Sequence, residues 1–182
     1  MDKELEGQIL LVKETRVKQV NVLKLAKQMT NHLQNMVQSQ RGLADAFADL
    51  GVKSPELQAD FNYNSEYQRL LVKNGEVLLG ALKLFTSNLT TLVHKTIEDS
   101  IMTVKAYESA RIEYDAYRTD LESIQVGPRT ATTVHKAEAA KQKYDVQKDK
   151  FDRLRGDLAI KLRFLEENKV FLQFTSHVTH LQ

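Results

Sequence analysis

SEYQRLLVKNGEVLLGALKLFTSNLTTLVHKTIEDSIMTVKAYESARIEYDAYRTDLESI, residues 65–124, is the stretch that decides the fold. It contains no proline, and as one α-helix rising ~1.5 Å per residue its roughly 60 residues would extend ~90 Å. A compact globule of 182 residues has a radius of gyration of only ~16 Å. Such a helix predicts an elongated protein.

The helix reading rests on spacing. Leu82, Phe85, Leu89 and Leu92 step by three and four, as do Tyr107, Ala110, Tyr114, Tyr117, Leu121 and Ile124. That is the a/d seam of a heptad coiled coil. Between the two runs Val93, Ile97 and Ile101 step by four twice, a stutter that locally relaxes left-handed supercoiling. Ser65 with Gln68 three residues on reads as a capping box at the start of this second helix, and Gly127-Pro128 as its stop.

Toward the N-terminus, Leu23, Ala26, Leu33, Val37, Gln40, Ala44 and Phe47 form a similar seam in a first helix over about residues 2–50, with Gly51 as its C-terminal cap. Apolar side chains also fill neighbouring positions, as in Ile9-Leu10-Leu11-Val12, and a stripe that wide predicts two partners. In the link, Ser54-Pro55-Glu56 predicts a short helical turn with proline in first place, and Phe61 and Tyr63 are expected to plug the end of the bundle. The second helix then returns antiparallel to the first. Because it is apolar nearly all round between residues 77 and 93, broken by Lys83, Val77, Leu78, Leu82, Phe85, Leu89 and Leu92 are expected to form the core of a homodimer. Gly75 and Gly80 are expected to permit close helix approach or a kink there.

After Gly127-Pro128 a third helix is expected over about residues 133–182, with Ala137, Ala140, Tyr144, Phe151, Leu154, Leu158 and Leu165 on its seam. A short turn makes it antiparallel to the second, setting Leu121 against Ala137, Tyr114 against Tyr144 and Tyr107 against Phe151. Paired from the Gly51 turn, the first helix runs out near Ala110. The outer end should be two helices rather than three.

The seam fixes which flanking charges meet. Glu113 and Asp120 fall at g on the second helix, opposite Lys136, Lys143 and Lys150 on the third, a ladder of opposite charges. Arg111 and Arg118 fall at e, and so do Lys141, Lys148 and Arg155, so this flank is basic on both helices. Like charges facing each other cost stability unless something negative sits between them. These five residues are candidates for a membrane-binding stripe, the bland alternative being a solvated flank.

Composition narrows the class. With 27% charged residues, 42% apolar residues, seven glycines and two prolines the chain reads as a long-helix protein. There is no cysteine, so neither disulfide nor thiolate metal site is available, and net charge is only +2. The start, Met1-Asp2-Lys3-Glu4-Leu5-Glu6, lacks the apolar segment of a signal peptide, and no uninterrupted apolar run of ~18 residues is present. A soluble, cytosolic chain is expected. No glycine-rich phosphate loop or nucleophile motif argues for an enzyme, and no catalytic residue, cofactor or metal is assigned; His177 and His180 are the only closely spaced histidines, without carboxylate company. Glu98 and Asp99, being adjacent, should point to different helix faces and be solvated. The aromatics beside the basic stripe lie on the seam, leaving no stacking platform for nucleic acid.

Several long runs resemble the arfaptins: Gln40-Arg41-Gly42-Leu43-Ala44-Asp45-Ala46-Phe47-Ala48-Asp49-Leu50, Leu71-Val72-Lys73-Asn74-Gly75-Glu76, Lys95-Thr96-Ile97-Glu98-Asp99, Tyr107-Glu108-Ser109-Ala110-Arg111-Ile112-Glu113-Tyr114-Asp115-Ala116-Tyr117-Arg118, and residues 161–169. The likeness covers about residues 2–169. It implies an all-α fold: a single arfaptin-homology (BAR) domain over residues 1–182, an elongated antiparallel three-helix coiled coil forming a crescent-shaped homodimer. It further implies binding to curved anionic phospholipid membrane and to GTP-bound Arf, Arf-like or Rac-type small GTPases, with a peripheral place on trans-Golgi membranes; which residues would contact the GTPase is unknown from the sequence. Residues 170–182 depart from the family's pattern, which is expected to weaken dimer contacts from the third helix. No amphipathic segment precedes the first helix, so weaker membrane targeting is expected. The rival reading is a structural coiled coil or spectrin-like three-helix bundle serving as a tether or dimerisation module, which would keep its helices similar in length.

Overall fold

The computed structural model describes the backbone of residues 3–127 and 131–178 and the side chains of residues 3–127 and 132–167. The order is α1 (Lys3–Lys53), a 3-10 turn (Pro55–Leu57), α2 (Gln58–Thr91), a π turn (Leu92–Ile97), α3 (Glu98–Val126) and α4 (Ala131–Val178). No strand occurs among the described residues, so the fold is all-α. From α2 to α3 the backbone stays helical through the π turn, and this composite helix exceeds the 51-residue α1. The π turn falls where Val93, Ile97 and Ile101 step by four. A wide turn rotates less per residue than an α-helix, which keeps steps of four nearer one face, and all three side chains are buried.

The chain packs as two compact units. In the first, Val17–Val93, the inner seam has a strict period of seven: Leu23, Thr30, Val37, Ala44 and Gly51 on α1 are buried, as are Ser65, Val72 and Leu79 on α2 and Val93 in the π turn. Leu23, Ala26, Leu89 and Val93 form one apolar cluster with Leu92 against it. The Thr30 and Thr86 hydroxyls meet at 3.2 Å, Arg41 pairs with Glu76, and Arg69 approaches Asp45 at 3.6 Å.

Two expected caps turn out to be packing residues. Ser65 lies well inside α2, which starts at Gln58; its buried hydroxyl donates to the Ala44 carbonyl at 2.8 Å. Gly51 lies inside α1, not beyond it, and a Cβ there would come within 3.0 Å of Asn62 Oδ1. Both positions hold small residues because the facing helix comes close there. Gly75 serves the same purpose, since a Cβ on it would sit 2.6 Å from Val37 Cγ2, whereas Gly80 faces open space and permits no approach within this chain. Phe61 stacks on Phe47 with centroids 6.3 Å apart, as a plug should, but Tyr63 is 69% exposed and stacks only on Tyr67.

The second unit comprises Met1–Arg16 and His94–Gln182. Here Leu5, Ile9 and Val12 of α1 are buried, together with Ile97, Val104, Tyr107 and Ala110 on the composite helix and Leu158 and Leu162 on α4. Three ion pairs fasten α1 to α3: Arg16–Glu98 at 2.8 Å, Lys13–Glu108 at 2.8 Å and Glu6–Arg111 at 2.9 Å. Past that level α3 pairs with α4 through stacked rings, Tyr107–Phe151 at 5.5 Å and Tyr114–Phe151 at 5.0 Å, with Tyr114–Tyr144 at 5.6 Å. The antiparallel register read from the seam is therefore the observed one. Glu98 and Asp99 do face apart, but neither is merely solvated, because Asp99 pairs with Lys161 at 2.6 Å while Glu98 holds Arg16.

Within Pro55–Val126 an 18-residue window reaches a mean hydropathy of 1.2, enough by length and composition to cross a membrane, and only 17% of it is buried. Lys83 interrupts this region, and its apolar residues recur in heptads with α1 packed on one side. That pattern is the signature of helix packing rather than of a lipid-facing span.

Candidate functional site

In an antiparallel helix pair, the residue just before each seam position lies about 100° round its helix, and for both helices that step leads to the same side of the layer. On α1 these positions are Val22, Met29, Met36, Leu43 and Leu50, all exposed. Along the returning helix they are Leu71, Leu78, Phe85 and Leu92, of which Leu78 and Phe85 are exposed and the others half-buried. The residues just after the seam are Lys24, Asn31, Gln38, Asp45 and Val52 on α1 and Glu66, Lys73, Gly80 and Ser87 on α2. Beside the link each side has one exception, Asn64 before Ser65 and Val52 after Gly51; elsewhere one side of the Val17–Val93 unit is apolar and the other polar.

This arrangement sorts the six residues expected at the dimer core. Leu78 and Phe85 are on the open apolar face, with half-buried Leu82 beside them; Val77, 73% exposed, lies on α2 away from α1. Leu89 belongs instead to the chain's own core with Leu23 and Ala26, while half-buried Leu92, at the edge of the apolar face, packs against that cluster. An apolar stripe all round a helix does not by itself say which side the first helix takes. The missed signal was the strict period of seven through Ser65, Val72, Leu79, Thr86 and Val93, which marks the side facing α1.

The five basic candidates divide in the same way. Arg111 is half-buried and ion-paired with Glu6 of α1. Arg118 is held by Asp115 at 3.2 Å and Glu122 at 3.8 Å on its own helix, with its guanidinium 6.0 Å from the Tyr114 ring centre. Lys141 and Lys148 are exposed and have no ion pair among the described residues, while Arg155 is exposed but partnered. On the other flank Lys150 meets Glu113 at 2.6 Å, as the charge ladder requires.

Between these flanks the Tyr114 and Tyr144 hydroxyls lie 3.4 Å apart, and either can donate. The hydrogen bond to Tyr144 and burial push the Tyr114 phenol above its ordinary value, while Arg118 and Lys148 pull it back. Arg118 and Lys148 therefore bring positive potential to one place beside the ring pair. A shallow groove of about 240 Å³ lies along α1 and α3, with Ile9, Leu10 and Tyr107 between the Glu6–Arg111 and Lys13–Glu108 pairs. The described residues hold no group of three or more His, Asp or Glu suited to a metal. His180 lies outside the described residues, as does the side chain of His177, and the expected weakening of dimer contacts beyond residue 169 falls there too.

The described residues form an all-α coiled-coil module with one exposed apolar face. The chain belongs to the Arfaptin-like domain family, whose model matches residues 1–181, and its fold is accordingly of the BAR type. It is 56% identical over 170 residues to Arfaptin-2 of Homo sapiens, covering 93% of the chain and 50% of that protein. Arfaptin-1 of Homo sapiens is 54% identical over the same length, with 93% and 46% covered. The PRKCA-binding protein of Mus musculus is 27% identical over 168 residues, covering 80% of the chain and 40% of the relative. The chain spans about half the length of the curated arfaptins it matches.

Proposed function

We propose that residues 1–182 act as a single arfaptin-homology (BAR) domain, a non-catalytic scaffold that forms a crescent-shaped antiparallel homodimer. It binds curved, anionic phospholipid membrane, is cytoplasmic and peripheral on trans-Golgi membranes, and serves as an effector of GTP-bound Arf, Arf-like or Rac-type small GTPases in vesicle trafficking. Nucleic acid is not among its partners.

The observation that carries this reading is the apolar face of the Val17–Val93 unit, in a chain of the Arfaptin-like family. Val22, Met29, Met36, Leu43, Leu50, Leu78 and Phe85 are each more than two-fifths exposed. Together they exceed the few hundred Å² of contiguous apolar surface that a soluble monomer tolerates. A second copy presenting the same face covers it with no further partner, which is the isologous contact that two-fold symmetry requires. The unequal lengths of α1 and the composite helix speak against a spectrin-like repeat.

Two measurements test this. Sedimentation equilibrium at micromolar concentration should give twice the monomer mass of 20.8 kDa; the monomer mass would remove the dimer. Pull-down with GTP-locked and GDP-locked Arf, Arf-like and Rac proteins should show capture of the GTP form by at least one class, and equal or absent binding across all three would rule out an effector.

A further inference from the structure

We propose that Ser54 is a phosphoryl acceptor for a proline-directed serine/threonine kinase, and that its phosphate weakens self-association at this end of the apolar face. The effect on association rests on the second-copy reading above; the modification itself does not. Ser54 stands where α1 has ended and the Pro55–Leu57 turn has not begun. Its backbone is extended, φ −131° and ψ 82°, because the following proline excludes helical geometry from the residue before it. Extended backbone followed by a residue without an N–H is the form in which a proline-directed kinase takes its acceptor. The Ser54 hydroxyl makes no capping hydrogen bond, although a serine at this position usually does.

Besides helix hydrogen bonds, Ser54 N–H donates to Leu50 O at 3.1 Å and Leu57 N–H to Ser54 O at 3.1 Å. Ser54 is half-buried, so a kinase cleft draws it out by breaking these two bonds of the link. In the reaction Ser54 Oγ attacks the γ-phosphorus of ATP, the bond from that phosphorus to the ADP oxygen breaks, and the hydroxyl proton passes to the kinase's base. The products are the phosphoserine and ADP. The new dianion stands between the C-terminal end of α1, whose last carbonyls carry negative potential, and the start of the Pro55–Leu57 turn. Glu56 is near in sequence and only Lys53 adjoins with opposite sign, while Leu50, at the end of the apolar face, takes the Ser54 N–H on its carbonyl. A phosphate one turn from Leu50, which a second copy must cover, has to be partly desolvated there, which favours the separate chains.

The full chain is incubated with a mitogen-activated kinase and Mg-ATP, the phosphate is mapped by mass spectrometry, and the modified and unmodified chains are compared by sedimentation. Close to one phosphate at Ser54 and a dimer dissociation constant raised about tenfold are expected. Ser54→Ala, which removes no capping bond, should keep its helicity and dimer mass and lose the phosphate. Pro55→Ala should lose it with the hydroxyl still present. No phosphate at Ser54, or undiminished incorporation in Pro55→Ala, overturns the modification, and phosphate at Ser54 with unchanged association overturns its effect. If the unmodified chain is itself monomeric, the second-copy reading and the effect on association fall together, while the phosphate map still decides the modification.

Discussion

Gly75 and Gly80 are five residues apart on one helix and should answer oppositely to alanine. At Gly80 a Cβ meets nothing within 4 Å, so Gly80→Ala should gain most of the ~1 kcal/mol by which alanine outranks glycine in a helix. At Gly75 the added Cβ would lie 2.6 Å from Val37 Cγ2, a buried side chain. Overpacking of that kind costs ~1–3 kcal/mol, which outweighs the propensity gain. Thermal melts should therefore rise for Gly80→Ala and fall for Gly75→Ala, and Val37→Ala should partly rescue the second. Tyr114 offers a test in pH. Its phenol is raised in the folded chain, chiefly by the hydrogen bond to Tyr144 and then by burial. The unfolded chain thus releases this proton first, so the bond's contribution is full below about pH 10 and fades as pH rises through the folded value. The stability difference between wild type and Tyr114→Phe, measured by urea titration, should shrink as pH rises above about 10; a difference that grew with pH would contradict the assignment. At this scale the sequence was legible where a side chain has one use. Serine and glycine have two, caps and close approach, and Ser65 and Gly51 were misread because a local signal cannot tell which applies.

Among the elements, what could be read was periodicity, and what could not was which partner each face meets. The antiparallel pairing of α3 and α4 was legible in advance, since Tyr114–Tyr144 and Tyr107–Phe151 follow from two seams and a short turn. The stutter at Val93, Ile97 and Ile101 marked the place of the discontinuity. It did not disclose a π turn, because a shift in hydrophobic phase records that rotation is absorbed and not which hydrogen bonds absorb it. Ser100 shows how the backbone accommodates it: the buried hydroxyl donates to the Thr96 carbonyl at 3.0 Å, helping to satisfy a group in the wide turn. The docking of α4 in its unit centres on Leu158, which has no exposed surface. Leu158→Ala should cost ~2–5 kcal/mol, as removal of a fully buried leucine usually does. Leu154→Ala, at a half-buried site about one turn along α4 from Phe151, serves as the milder comparison, and a smaller fall in the urea midpoint is expected for it. Equal losses would mean that α4 is not anchored where the burial places it.

For the molecule as a whole, fold and family were legible and the working surfaces only in part. The basic stripe was read from heptad positions, which fix the flank a charge occupies but not the longer-range partner that reaches it. Glu6 neutralises Arg111 from α1, and Asp115 and Glu122 hold Arg118, so the charge left for an anionic bilayer rests chiefly with Lys141 and Lys148. Each exposed cation near an anionic surface contributes ~1 kcal/mol, and a dimer doubles the set. Lys141→Glu with Lys148→Glu should therefore sharply reduce co-sedimentation with phosphatidylserine vesicles at low salt, leaving helicity and dimer mass unchanged. Arg111→Glu should act differently, setting a second carboxylate against Glu6 and lowering stability through the α1–α3 contact, with any loss of lipid binding tracking the loss of fold. Wild-type binding should weaken as salt rises, because the attraction is screened within a Debye length of ~10 Å at 0.1 M. If the folded double-lysine variant pellets with vesicles as well as wild type, these lysines are a solvated flank and the membrane contact lies elsewhere on the chain.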